Sequence, residues 1–168
     1  MQINVLGYFE QGALAKCREK VAIVDQERRY PLAEIERFAK NCAALILQRT
    51  TAVNQPIAVF LPKCAETVIA NIGILYSGNC YANLDIKSPP ERLKDILKNL
   101  GASIIMTSAT HAAALRAVGV PEEQLLLVEA AMLHAQGHPS VARLLPTAQR
   151  LPGDARRASP KNPRLEVP

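Results

Sequence analysis

Residues 57–61 read Ile-Ala-Val-Phe-Leu, an unbroken apolar run rich in β-branched and aromatic side chains and closed by Pro62. Such a run predicts a buried strand rather than a helix. The period then changes: between 65 and 76, Val68, Ile69, Ile72, Leu75 and Tyr76 recur at spacings of three and four. That spacing predicts a helix with one apolar face, stopped at Gly78. Residues 80–84 predict a second short strand. Ser88-Pro89-Pro90-Glu91 then has the form of a helix start, with a serine cap and prolines in the first turn. In the helix that follows, Leu93, Ile96, Leu97 and Leu100 face inward while Arg92, Lys94, Asp95 and Lys98 face water, and Gly101 closes it. A further strand is predicted at 104–106.

The flanking sequence repeats this alternation. Phe9, Ala13, Leu14 and Cys17 predict a helix over 8–20, and residues 21–25 predict an apolar strand. Residues 26–29 should turn a hairpin, with a short return strand beginning at Tyr30. Over 32–48, Leu32, Ile35, Phe38, Ala39, Cys42, Leu45 and Ile46 share one helical face, and 50–56 is a connecting loop. Alanine-rich residues 109–118 predict a helix ended by Gly119 and Pro121, followed by a strand at 125–128. Strands alternating with helices imply right-handed crossovers. The expected fold is α/β: an open, mostly parallel sheet covered by helices. Beyond about residue 138 the periodicity is lost, and six of the twelve prolines lie from Pro139 onward. Burial of the scattered apolar residues there is too small to offset backbone ordering, so a disordered tail is expected. The expected organisation is therefore an α/β domain over 1–138 and a Pro/Arg-rich tail over 139–168.

Leu61-Pro62, Glu66, Leu75, Gly78, Tyr81, Leu84-Asp85, Pro89, Glu91-Arg92-Leu93, Leu97 and Thr107 together resemble the amino-terminal part of the adenylate-forming (AMP-binding) synthetases. That family includes acyl-CoA synthetases, luciferases and the amino-acid-adenylating domains of peptide synthetases. Tyr30-Pro31-Leu32-Ala33-Glu34-Ile35 resembles the family's earlier motif, and the likeness covers roughly residues 5 to 130. Leu84-Asp85 with Pro89 and Glu91-Arg92-Leu93 is closer to the amino-acid-adenylating branch of peptide synthetases than to the acyl-CoA branch. Asn83 stands where a proline is usual and Ser77 where alanine is frequent, both at structural positions.

The resemblance implies activation of a carboxylate by attack on the α-phosphate of ATP. That chemistry needs cationic and backbone donors around phosphate. The family supplies them with a Ser/Thr/Gly-rich loop ending near a lysine, a few tens of residues after the strand at 125–128. Here the chain reads GDARRASPKNPRLEVP at that point, without a glycine-rich cradle. The matched positions are scaffold positions, so the resemblance assigns no catalytic, cofactor-binding or metal residue. It implies ATP and magnesium for full-length members and none for this chain alone. The expectation is a truncated amino-terminal part of an AMP-forming ligase, inert by itself, with the missing remainder of a synthetase as its partner. The alternative is a non-catalytic interaction module that docks on a synthetase or another partner.

Composition narrows the rest. Hydrophobic residues make up 49% of the 168, enough for a core, but aromatics only 4% with no tryptophan, so Leu, Ile, Val and Ala must build it. The net charge of +5 does not point to nucleic acid. Six basic residues against two acidic ones lie from Arg143 onward, with no aromatic among them for stacking on bases. The opening MQINVLGYFEQG has no basic region leading into an apolar stretch, and no apolar run reaches the ~20 residues of a membrane span. Cytoplasm is the expected compartment. Cys17, Cys42, Cys64 and Cys80 form no close pair, so reduced, mostly buried thiols are expected. His134 and His138 are four apart, but Gly137 and Pro139 break the helix that would join them as metal ligands. Asp85 is expected to cap a turn. Neither Glu34 with Glu36 nor Glu122 with Glu123 has the placing of an acid/base pair.

Overall fold

A computed structural model describes residues 5–26 and 28–133. Helix α1 spans residues 5–17 and is not the regular helix the spacing predicts. Its centre, Tyr8–Leu14, is wound as a π-helix between short α-helical ends. Strands β1 (Val21–Asp25) and β2 (Arg28–Pro31) form an antiparallel hairpin that stands apart as its own two-stranded sheet. The return strand starts two residues earlier than Tyr30, because Gln26 takes a left-handed conformation (φ 52°) and tightens the turn. Helix α2 (Leu32–Arg49) follows directly.

Four parallel strands make the main sheet: β3 (Pro56–Phe60), β4 (Cys80–Asn83), β5 (Ile105–Thr107) and β6 (Leu125–Leu127), in the order β4-β3-β5-β6. The connecting helices are α3 (Ala65–Tyr76), α4 (Pro90–Leu100) and α5 (Ala109–Ala117). The strand expected to run through residue 128 stops at Leu127, and Val128–Leu133 forms helix α6, which the sequence reading did not predict. Ser88 does not cap α4 through its side chain; Pro89 occupies the cap position instead. Gly78 and Gly101 end α3 and α4 as expected, with φ of 78° and 61°.

The sheet separates two apolar layers, and the pleat of β3 divides its side chains between them. Ile57 and Val59, with Met106 and Leu126, pack against α2, α3 and α6. Ala58 and Phe60, with Ile105 and Leu125, pack against Leu93 of α4 and Ala112 and Leu115 of α5. Helix α2 buries the expected Leu32, Ile35, Phe38, Ala39, Cys42 and Ile46. Helix α3 departs from expectation: Val68 is exposed, while the small residues Ala65, Ala70 and Gly73 join Ile69 and Ile74 in the buried face. The reason is the closeness of α2. A Cβ on Gly73 would lie 2.4 Å from Cys42 Cβ and 2.7 Å from the Ala39 carbonyl oxygen.

All four cysteines are free. Cys42 is buried and its thiol pushed up to about 12 by burial, but Cys17 and Cys80 are exposed, which corrects the expectation of mostly buried thiols. Among the described residues no helix is long and apolar enough to cross a membrane.

Candidate functional site

The strand order reverses direction between β3 and β5, and open α/β sheets take ligands in the crevice outside the carboxyl ends at such a point. Two polar groups flank that end. The first surrounds the start of α3. Asp25, at the end of β1, accepts the Ala65 amide through Oδ2 at 2.7 Å, so the hairpin caps a helix 40 residues further on. The Tyr30 hydroxyl donates to Glu66 Oε1 at 3.4 Å, joining β2 to the same turn. Burial, and then the Glu66 carboxylate, raise the Tyr30 hydroxyl above its ordinary value. Cys64 Sγ lies 3.5 Å from Thr67 Oγ1, which donates to the Pro62 carbonyl at 2.5 Å; burial raises the thiol.

The second group surrounds the start of α5. Ser108 Oγ accepts the His111 amide at 3.4 Å and lies 2.7 Å from His111 Nδ1. The His111 ring meets Phe60 edge-on, with centroids 6.3 Å apart. Glu129 Oε1 accepts the Ala109 amide at 2.9 Å, placing a carboxylate at the positive end of α5. Thr107 Oγ1 donates to the Phe60 carbonyl at 3.0 Å, tying β5 to β3. Both groups therefore have the bonding of helix caps and strand ties. A hydroxyl beside an imidazole can serve nucleophilic catalysis, but this hydroxyl is engaged by a backbone amide of its own helix.

Asp25, Cys64 and Glu66 bring three potential metal-ligand atoms within 4.8 Å of one another. Their surroundings are those of a cap rather than a cation site, since the Ala65 amide and the positive end of α3 point into them. The triphosphate of ATP would find no glycine-rich cradle among the described residues here. The carboxyl-end segments 61–64 and 84–89 and residue 108 contain no glycine, whereas Gly78, Gly101 and Gly119 sit at the opposite ends of β4, β5 and β6. No backbone cradle for phosphate is formed among the described residues, and the carboxylates of Asp25 and Glu66 would repel one.

Asp85 caps a turn as expected, accepting the Lys87 amide through Oδ1 at 2.9 Å and the Ser88 amide through its carbonyl at 3.0 Å. Glu34 and Glu36 are engaged in ion pairs, and Glu122 is held bidentately by Arg116 at 2.6 and 2.8 Å, which lowers its carboxyl below the usual range. His134, His138 and the tail over 139–168 lie outside the described residues. Sequence reasoning did not single out the Asp25 cap, His111 or Glu129. Each meets its partner through the fold, and only the Ser108–His111 spacing of three carries a local signal.

The family of AMP-binding enzymes matches residues 9–164. Tyrocidine synthase 1 of Brevibacillus parabrevis is 31% identical over 139 residues, covering 79% of this chain and 13% of its own length. Beauvericin nonribosomal cyclodepsipeptide synthetase of Beauveria bassiana is 32% identical over 101 residues, covering 60% of this chain and 3% of its own. Among solved structures, the nonribosomal peptide synthetase FmoA3 with α-methyl-L-serine-AMP bound superposes with a TM-score of 0.67 at 25% identity, over 79% of this chain and 14% of that one. The chain thus spans no more than 14% of any of these proteins.

Proposed function

This chain belongs to the AMP-binding enzyme family, and from that premise we propose that it is the amino-terminal scaffold of an amino-acid-adenylating domain, without activity of its own. The observation that carries this reading is that, among the described residues, the carboxyl end of the sheet holds no glycine. Side chains that face the crevice at α3 and α5 hold helix starts in place rather than phosphate. In the intact family the reaction joins a carboxylate to the α-phosphate of ATP, with magnesium neutralising charge. The described residues of this chain contribute a rigid floor and no reacting group.

The same reading makes the remainder of a synthetase the natural partner, and the cytoplasm, where ATP and amino acids meet, the compartment. It also divides the chain into a scaffold over 1–138 and a separate tail over 139–168. The test is amino-acid-dependent exchange of pyrophosphate into ATP by the purified 168-residue chain. No exchange is expected with any of the common amino acids, and clear exchange with one of them overturns the reading.

A further inference from the structure

We draw no further inference here: the strongest candidate, the free edge of the main sheet at β4, where Cys80, Tyr81 and Asn83 are exposed and β3 is the one paired strand among the described residues, carries nothing, because nothing in the structure shows what covers it.

Discussion

Gly73→Ala puts the closeness of α2 and α3 to a direct test. In an exposed helix this exchange stabilises by about 1 kcal/mol, because alanine loses less backbone freedom on folding. At position 73 the new Cβ would stand 2.4 Å from Cys42 Cβ and 2.7 Å from the Ala39 carbonyl oxygen, and neither atom can swing aside by changing a rotamer. The two helices must separate, and overpacking of this kind costs about 1 to 3 kcal/mol. With the propensity gain subtracted, a net loss of about 0 to 2 kcal/mol is expected, equivalent to a fall of up to roughly 8 °C in Tm for a chain of this size. Urea unfolding followed by far-UV circular dichroism measures it. Gly12→Ala is the matched control, since nothing lies within 4 Å of a Cβ there, and it should stabilise by up to about 1 kcal/mol. If Gly73→Ala unfolds at a higher urea concentration than the parent, as Gly12→Ala should, the close-packing argument fails.

Removing the cap with Asp25→Ala should cost about 1 to 2 kcal/mol in the same assay, with Asp25→Asn closer to the parent; equal loss in both would show that the hydrogen bond to Ala65 is not what matters. Tyr76 is buried, and burial, followed by the Glu10 carboxylate that its hydroxyl meets at 3.0 Å, raises its pKa. A raised folded value means that stability is fully present below the unfolded value of about 10 and is lost as pH climbs past it. Tyr76→Phe should therefore flatten the alkaline fall in urea midpoint, and an unchanged slope would remove Tyr76 as its source. Thiol titration should find Cys17 and Cys80 reactive at once, Cys64 slower and Cys42 only on unfolding; rapid reaction of Cys42 in the native protein contradicts the packing of α2 on α3.

The long amphipathic stretches were readable because their periods count large residues: the buried face of α2 is the one the spacing predicts, and Leu93, Ile96 and Leu97 of α4 turn inward as expected. The same rule misled at α3. Val68 looked like core and is exposed, while Gly73 and Ala70, too small to register, mark the tightest contact. The π-helical turn over Tyr8–Leu14 has no signature in hydropathy, since its residues also suit an ordinary helix. Helix α6 was hidden because Leu125, Leu126, Leu127 and Val128 form one apolar run, within which nothing marks where strand gives way to helix. At the carboxyl end of the sheet the motif positions were legible but their partners were not. Tyr30 meets Glu66 across 36 residues and Ala109 meets Glu129 across 20, distances over which no local pattern speaks.

The Asp25–Ala65 contact also sets an order of events while the chain is being made. The β1–β2 hairpin leaves the ribosome first, yet the amide that Asp25 must hold is 40 residues behind it. At synthesis rates of about 5 to 20 residues per second, that interval lasts roughly 2 to 8 seconds. Throughout it the hairpin carries an apolar β1 strand, with Val21 and Val24 exposed even in the finished fold, while the start of α3 that Asp25 holds is not yet made. This newborn stage, rather than the folded protein, is where the sequence is most open to pairing with a neighbouring chain.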